Sequence, residues 1–171
     1  MDRITFKYHP NIYDDDILIK KEGVCQCCGK KVDSYIEQIY TASDVDCICL
    51  KCVSDGSAAI KYDGAFIAWA EDIPDSEKRD ELFMRTPGYL GWQGENWLAC
   101  CDDYCEYLGR VGIEEINNML DGEEILNEYF SREDSYSKED VIGYLHKDGD
   151  MSGYLFRCLH CRKHHLWVDA N

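Results

Sequence analysis

Two pairs of cysteines near the start of this chain constrain its fold more than any other feature of the sequence. Cys25 and Cys28 are separated by two residues, as are Cys49 and Cys52, and twenty residues lie between the pairs. Two cysteines at this spacing can bind zinc from one tight turn, and four thiolates complete a tetrahedral site. The pattern Cys-x2-Cys-x20-Cys-x2-Cys is typical of a zinc ribbon. The sequence therefore predicts a structural zinc ion bound by these four residues.

Two further cysteines leave the choice of ligands at this first site open. Cys47 lies two residues before Cys49, which allows a shifted pairing, and Cys27 can compete for a ligand position. Free cysteines are among the most buried residue types, so packed thiols are the simpler interpretation of both. Gly29 fits the ribbon, because a turn with positive φ just after a cysteine pair is accessible to glycine at little cost.

A second group of cysteines combines the middle of the chain with its end. Cys158 and Cys161 repeat the two-residue spacing but have no second pair nearby. Cys101 and Cys105 are their best partners, because a first helical turn can present residues four apart on one face. The sequence predicts a second structural zinc ion bound by these four thiolates. Three other residues are alternative ligands at this site: Cys100, His164 and His165.

Turns and caps divide the chain into three parts. Residues 1–64 carry the first zinc ribbon, residues 65–153 form a mostly helical insert, and residues 154–171 form a hairpin with a knuckle that closes the second site. The insert contributes Cys101 and Cys105. The predicted fold class is α+β, with two zinc-ribbon or knuckle elements on small antiparallel sheets and the helical insert between them in one compact unit.

Local patterns predict individual elements inside these parts. Pro87 ends a helix that starts near Ser76, because proline disfavours helical geometry in the residue before it. Ser137 resembles the cap of another helix. The remaining predicted elements are strand-like residues at Tyr35–Tyr40, a helix over Ala58–Ala70, helical spacing from Ile113 with an interruption at Asp121–Gly122, and strands at Tyr154–Arg157 and His165–Val168.

The net charge of the chain indicates which class of partner it can bind. Lys and Arg total 18 and Asp and Glu total 34, which gives a formal net charge of −16. Binding to a phosphate backbone depends on clustered cations, so nucleic acid is a poor match and a basic protein partner a better one. A nucleic-acid-associated or regulatory adaptor role is the alternative, based on one local cluster: Arg157, Arg162, Lys163, His164 and His165.

Enzymatic activity has less support in the sequence. A catalytic zinc keeps an open coordination position, whereas two full sets of four cysteines are available here. A cysteine nucleophile needs a base such as His146 or His160, and nothing in the sequence pairs these residues with a thiol. We therefore expect no catalytic residues and no enzymatic function, with a zinc- or cysteine-dependent enzyme as the less favoured alternative.

The cellular compartment can be inferred from the lack of long apolar segments and from the number of cysteines. The first residues lack the apolar core of a secretory signal, and no apolar run approaches the roughly 20 residues that a membrane span needs. We expect a cytoplasmic protein with no membrane association. Because thiols stay reduced there, the clustered cysteines among the eleven are expected to bind metal rather than form disulfides.

The loop Arg85–Trp97 is rich in glycine and aromatic residues. Protein interfaces favour aromatic anchors, so this loop is a candidate partner-binding surface. The alternative is that its aromatic side chains fill the joint between the two zinc-bearing parts. The six candidate contact residues are Arg85, Tyr89, Trp92, Gln93, Glu95 and Trp97.

A set of short motifs is distributed over nearly the whole chain: Phe6–Pro10, Cys25–Gly29, Cys49–Cys52 with Asp55–Ala59, Arg85–Gln93 with Glu95–Ala99, Cys101 with Cys105, Leu108–Gly109 and Tyr154–Cys161. In this combination the chain resembles the CbrC family, a largely uncharacterised group of cysteine-rich proteins linked to colicin tolerance. The family pattern includes Cys101 with Cys105 but lacks Cys27, Cys47 and Cys100.

This resemblance implies an association with tolerance to a nuclease-type bacteriocin. Nuclease toxins are basic, and acidic immunity partners bind them rapidly because long-range electrostatics steer the encounter. The expected function is that of a non-catalytic, zinc-stabilised acidic binding protein of the immunity or toxin-tolerance type, which binds and neutralises a basic protein toxin.

Overall fold

Short helices and small sheets alternate along the chain in the computed structural model, which describes residues 3–171. Met1 and Asp2, with which the predicted N-terminal part begins, lie outside the described residues. The α+β class predicted from the sequence is confirmed. The elements are a 3-10 turn at Ile12–Asp14, β1 (Gly23–Val24), β2 (Lys31–Val32), α1 (Leu50–Ser54), α2 (Ser57–Tyr62), β3 (Trp69–Ala70), α3 (Ser76–Arg85), β4 (Asn96–Trp97), β5 (Ala99–Cys100), β6 (Asp103–Tyr104), β7 (Glu106–Val111), α4 (Ile113–Asn117), α5 (Gly122–Phe130), α6 (Lys138–Tyr144), β8 (Met151–Arg157) and β9 (His164–Ala170).

The largest sheet has the antiparallel order β7-β8-β9, with β8 in the centre. Strand β8 pairs with β9 without a break, from Met151 opposite Ala170 to Arg157 opposite His164. Three two-stranded ladders accompany it within residues 3–171. The pairs β1–β2 and β5–β6 are antiparallel as expected, but β3–β4 is parallel. The hairpin β8–β9 is longer at both strands than the sequence pattern predicted, and its turn carries the second cysteine knuckle.

Helix boundaries follow the capping chemistry of the sequence. Helix α3 begins after Asp75, whose side chain accepts hydrogen bonds from the amides of Glu77 and Lys78, and it ends at Arg85, before Pro87. The hydroxyl of Ser137 accepts a hydrogen bond from the amide of Asp140 and caps α6. The helical spacing that starts at Ile113 is divided into α4 and α5, as the interruption at Asp121–Gly122 predicted.

Three predictions of secondary structure differ from the structure. The segment Ala58–Ala70 is helical only to Tyr62, because Asp63 adopts a left-handed conformation with φ of 45° and ends the helix. The segment Tyr35–Tyr40 makes single bridges to three separate parts of the chain instead of forming a regular strand. The insert at 65–153 is also less helical than predicted, since it contains β3 to β7. Strands of two residues are too short to show an alternating pattern.

Three hydrophobic clusters hold these elements together. The first packs α1 and α2 against the N-terminal loops, around residues such as Ile36, Ile48 and Val53. The third packs α4, α5 and α6 onto the sheet β7–β9, through residues such as Ile125 and Leu166. The second is rich in aromatic rings that connect the N-terminal segment, the loop after α3 and the sheet: Tyr8, Tyr89, Trp97, Tyr104, Tyr107, Tyr154 and Phe156. No helix within the described part of the chain is both long and apolar enough to cross a membrane.

Candidate metal centres

The first cysteine group, which we call centre 1, consists of Cys25, Cys28, Cys49 and Cys52. One sulfur atom from each residue lies within 4.8 Å of the other three. The Sγ atoms of Cys25 and Cys52 are 3.9 Å apart, as are those of Cys28 and Cys49. The structure therefore places together all four residues that the zinc-ribbon spacing predicted as ligands. Centre 1 joins the turn between β1 and β2 to the start of α1.

The second group, centre 2, consists of Cys100, Cys101, Cys158 and Cys161, again with all four sulfur atoms within 4.8 Å of one another. The Sγ atom of Cys100 is 3.6 Å from that of Cys101 and 3.7 Å from that of Cys161. Centre 2 joins the β5–β6 hairpin to the β8–β9 turn. Three of the predicted ligands meet here, and Cys100 takes the place expected of Cys105.

The placement of Cys105 outside centre 2 has a structural reason. The pairing of Cys101 with Cys105 was predicted for a helical turn. In the structure, Cys101 and Asp102 form the two-residue turn of the β5–β6 hairpin, both with φ of 56°. Positive φ at both central positions is the signature of a type I′ hairpin turn. Cys105 then lies beyond β6 in the aromatic cluster, with 0% exposure, and its carbonyl accepts a hydrogen bond from Trp97 Nε1. Burial raises the pKa of its thiol.

The remaining alternative ligands also lie outside the two centres. Cys27 Sγ is 3.7 Å from the hydroxyl of Ser57, and Cys47 is buried beside Gly23. The Nδ1 atom of His164 is 2.7 Å from Asp121, and that of His165 is 3.7 Å from Glu128. Both centres therefore have a complete set of four thiol groups without any of these residues.

The sulfur positions fit a tetrahedral zinc ion. A Zn–S bond of about 2.3 Å at tetrahedral angles places neighbouring sulfur atoms about 3.8 Å apart. The four separations given above, 3.6–3.9 Å, match this value, and the other pairs in each tetrad lie within 4.8 Å. A disulfide would require a separation of about 2.05 Å. Two cysteine tetrads could thus hold metal ions, and the all-sulfur donor set and its spacing are consistent with zinc.

The knuckles of the two centres have the same backbone hydrogen bonds. In centre 1 the amide of Cys25 donates to the carbonyl of Lys30 at 2.9 Å, and the amide of Gly29 donates to Cys25 at 2.7 Å. In centre 2 the amide of Cys158 donates to Lys163 at 2.9 Å, and that of Arg162 donates to Cys158 at 3.2 Å. The Cys-x2-Cys spacing is thus folded in the same way twice, although the two sequences differ.

Backbone amides point at the first sulfur atom of each knuckle. Cys158 Sγ accepts hydrogen bonds from the amides of His160 and Cys161, both at 3.4 Å, and Cys25 Sγ accepts one from Cys49 at 3.3 Å. Burial raises the pKa of these two thiols, but the amide hydrogen bonds outweigh it and lower the pKa of Cys25 to about 7 and that of Cys158 to about 6. One cysteine of each centre is therefore close to the thiolate form that binds metal.

The residue that follows each knuckle adopts a left-handed conformation, with φ of 72° at Gly29 and 63° at Arg162. A side chain costs roughly 1 kcal/mol there. We expect Arg162→Gly to be more stable than Arg162→Ala by about 1 kcal/mol, because both lose the ion pair with Glu106 but only glycine relieves the strain. Gly29→Ala should cost a similar amount, since a Cβ there meets no atom within 4 Å.

Denaturant unfolding of the zinc-loaded variants measures these differences in the free energy of unfolding. Arg162→Ala is the matched control for the lost ion pair. If the glycine and alanine variants at this position unfold at the same denaturant concentration, the left-handed geometry at Arg162 does not cost what we expect.

A buried carboxylate stabilises the turn of centre 2. Asp103 is 2% exposed and accepts hydrogen bonds from Tyr8 Oη at 2.8 Å and Lys7 Nζ at 3.1 Å. Its Oδ2 atom is also 3.0 Å from Nε2 of His160, the residue inside the second knuckle. Despite burial, these hydrogen bonds lower the pKa of Asp103 to about 2. Asp103 could not be identified from the sequence, because its partners are more than fifty residues away on both sides.

Half of the predicted partner-binding residues are part of the core. Tyr89 and Trp97 have no exposed surface, and their rings lie 5.6 Å apart in the aromatic cluster. Glu95 is 2% exposed and accepts hydrogen bonds from Tyr40 Oη at 2.7 Å and from the amide of Ala68 at 3.1 Å. These side chains fill the joint between the two parts that carry the cysteine tetrads, which was the alternative interpretation of the loop. The exposed members of the predicted set are Arg85, Trp92 and Gln93.

The family model and the related proteins that match this chain all carry the same family description. The model of an uncharacterised protein family, UPF0167, matches residues 4–170. UPF0167 proteins of Mycobacterium bovis and Mycobacterium tuberculosis are each 34% identical over 172 residues, which cover 96% of this chain and 91% of the relative. A UPF0167 protein of Pseudomonas aeruginosa is 32% identical over 175 residues, which cover 96% of this chain and 95% of the relative. No solved structure matches the chain significantly.

The resemblance to the CbrC family is corrected by these matches. Both the family model and the curated relatives carry the UPF0167 description, and none of these matches is to CbrC. The expectation of colicin tolerance and toxin immunity depended on that resemblance and loses its basis with it. The cysteine tetrads and the charge distribution are independent of the family name.

Proposed function

The chain belongs to the UPF0167 family, and we propose that it is a non-catalytic acidic protein, stabilised by two zinc ions, that binds a basic protein partner. Each cysteine tetrad provides four thiolates, which fill the tetrahedral coordination of zinc and leave no position open for a substrate. The two zinc ions have a structural role. Centre 1 fixes the N-terminal part, and centre 2 holds the β5–β6 hairpin against the β8–β9 turn.

The uneven distribution of charge is the observation that carries this proposal. Residues 113–150, which we call the acidic arm, contain twelve acidic and three basic residues, a net charge of −9 out of −16. Helices α4, α5 and α6 pack their apolar sides onto the sheet β7–β9. Exposed carboxylates such as Glu123, Glu124 and Glu133 therefore face solvent. A field of one sign over one part of a surface accelerates association with a partner of opposite charge.

The local basic cluster near centre 2 gives less support to nucleic-acid binding than its sequence suggested. Glu106 binds both Arg157, at 2.7 Å, and Arg162, at 3.0 Å. The imidazoles of His164 and His165 face Asp121 and Glu128. Cations that are already paired with carboxylates add little to the attraction of a phosphate backbone. Lys163 is the one member of this cluster without a carboxylate within ion-pair distance in residues 3–171.

Charge reversal on matched surfaces tests the proposal. We expect the triple variant Glu123→Lys, Glu124→Lys, Glu133→Lys to weaken binding of a basic partner by at least about tenfold, because the steering field is lost. The control is Asp33→Lys, Asp44→Lys, Asp46→Lys, which changes the net charge equally at exposed positions outside the arm. Partner stoichiometry is measured by native mass spectrometry of protein purified from its own host at low and physiological salt, with zinc content measured in parallel.

Loss of the partner from the arm variant alone, with two zinc ions retained in both variants, is the expected result. Equal loss from both triple variants would mean that total charge, and not the acidic arm, determines binding. The absence of any stoichiometric basic partner at low salt would overturn the proposed function while leaving the metal centres in place.

A further inference from the structure

A cavity of about 360 Å³ lies between the loop after α3 and the sheet β7–β9. Its lining includes Leu90 and Trp92 of the loop, which supply an apolar wall, together with Arg110 of β7, Tyr154 of β8 and Asp148 of the turn before β8. Arg110 and Tyr154 are register neighbours on adjacent strands, so their side chains leave the same face of the sheet. Small-molecule sites typically have volumes of about 300–1,000 Å³, so the cavity is large enough for a ligand.

Arg110 has an unusual position for a cation of this chain. Among residues 3–171 it is the one half-buried arginine with no carboxylate oxygen within 4.0 Å, whereas the half-buried Arg132 and Arg157 are both paired with glutamates. Its Nη2 atom donates one hydrogen bond to the carbonyl of Leu90 at 3.1 Å. A guanidinium group has five N–H donors in a planar fork that matches a carboxylate, so most of its donors remain available.

The nearby carboxylates divide into two kinds. Asp15 and Asp169 are occupied by backbone amides: Asp15 accepts from Ile17 at 3.0 Å, and Asp169 accepts from Gln93 at 2.8 Å. Asp148 lines the cavity, is exposed, and makes no side-chain hydrogen bond or ion pair within the described residues. The cavity therefore presents one available cation and one available anion, more than 4.0 Å apart.

The apolar wall of the cavity is held in place before any ligand binds. The amide of Gln93 bonds to Asp169, its side-chain amide donates to the carbonyl of Ala170 at 3.2 Å, and Arg110 holds Leu90. These bonds fix the loop on both sides of Trp92, whose side chain is 48% exposed at the cavity. A preorganised aromatic surface lowers the entropic cost of binding an apolar group.

We propose that this cavity binds a small zwitterion of the α-amino acid type. The ligand carboxylate pairs with the guanidinium of Arg110, its ammonium group pairs with the carboxylate of Asp148, and its apolar side chain packs against Trp92 and Leu90. A simple anion would be repelled by the surrounding carboxylates and a simple cation by Arg110, whereas a molecule with both charges satisfies both groups. This site is separate from both metal centres. Asp148 belongs to the acidic arm, but the site does not include Glu123, Glu124 or Glu133, the carboxylates with which binding of a protein partner is tested.

Three matched probes test the proposal in the zinc-loaded full chain. L-Phenylalanine has both charges, phenethylamine lacks the carboxylate, and 3-phenylpropanoate lacks the ammonium group. Amide signals of residues around the cavity are followed by two-dimensional NMR during titration. We expect saturable, millimolar binding of L-phenylalanine and at least about tenfold weaker binding of each analogue, because each leaves one charged group of the site without a partner.

Two variants separate the roles of the charged residues. Arg110→Gln should weaken the binding of L-phenylalanine about tenfold, so that its affinity no longer exceeds that of phenethylamine. Asp148→Asn should lower the affinity for L-phenylalanine to that of 3-phenylpropanoate. Arg79→Gln, at an exposed arginine outside the cavity, is the control and should change nothing. Because Asp148 is exposed, Asp148→Asn should not disturb the fold, and it tests the site even if Arg110→Gln disturbs the loop. Non-saturating shifts, equal affinity for all three probes, or unchanged affinities in both variants would overturn the proposal.

Discussion

Replacement of Cys52 by Ser should reduce the zinc content of the chain from two ions to one and unfold the N-terminal part. Cys52 is buried on α1, and its Sγ is 3.9 Å from that of Cys25. A serine hydroxyl does not replace a thiolate ligand, and three remaining thiols hold zinc much more weakly. The free energy of binding at a structural zinc site is on the order of 10 kcal/mol and acts as folding free energy. Because a whole domain is stable by only about 5–15 kcal/mol, this loss is decisive.

The matched control for this experiment is Cys27→Ser. Cys27 lies between Cys25 and Cys28 at the same centre, but its sulfur contacts Ser57 and is not a member of the tetrad. Zinc per chain is measured by native mass spectrometry, and unfolding by thermal denaturation and limited proteolysis. The control should keep two zinc ions and melt close to the unaltered protein. Two zinc ions in the Cys52 variant, or loss of zinc from the Cys27 variant, would contradict the ligand set of centre 1.

Cys100 and Cys105 should respond in opposite ways to substitution. Cys100→Ser is expected to release the zinc ion of centre 2, because its sulfur lies 3.6–3.7 Å from two other members of that tetrad. Cys105→Ala should keep both zinc ions and lose only packing, at about 1–2 kcal/mol for a small buried side chain. The loss of zinc should free the β5–β6 hairpin from the β8–β9 turn.

Zinc stoichiometry and hydrogen exchange of the two hairpins distinguish these variants. The expected pattern is one zinc ion and faster exchange at β5–β6 for Cys100→Ser, against two zinc ions and local changes for Cys105→Ala. The reverse pattern would mean that the fourth ligand is Cys105, as the spacing of the sequence first indicated. Both substitutions remove one cysteine from the same stretch, so each serves as the control of the other.

The first centre could be predicted in full because its ligands lie on local structures. Two residues between cysteines allow the backbone bonds of a knuckle, and Gly29 supplies the left-handed residue that follows it. The second knuckle could be predicted for the same reason, even though Arg162 stands where the first has glycine. The starts of helices α3 and α6 are also set by local sequence. The side chains of Asp75 and Ser137 cap them by accepting hydrogen bonds from amides only two or three residues away.

The fourth ligand of centre 2 could not be predicted, because it depends on the type of a turn. The spacing of Cys101 and Cys105 fits a helix, but Cys101 and Asp102 are the turn of a hairpin. A type I′ turn most often contains Asn or Gly, so the Cys-Asp pair gave no local signal for it. The adjacent cysteines at 100 and 101 were the available clue, since a tight turn can bring neighbouring side chains to one metal ion.

Residues close to one another along the chain fix part of its chemistry without tertiary contacts: the two cysteine knuckles, the helix caps and the excess of acidic residues. Which side chains remain available for binding depends on how the whole chain packs. This packing buries Tyr89, Glu95 and Trp97 in the joint, pairs Arg157 and Arg162 with Glu106, and leaves Arg110 without a carboxylate beside a cavity. These outcomes depend on contacts between residues tens of positions apart, whose pairing is set by packing of the whole chain and has no period or spacing in the sequence.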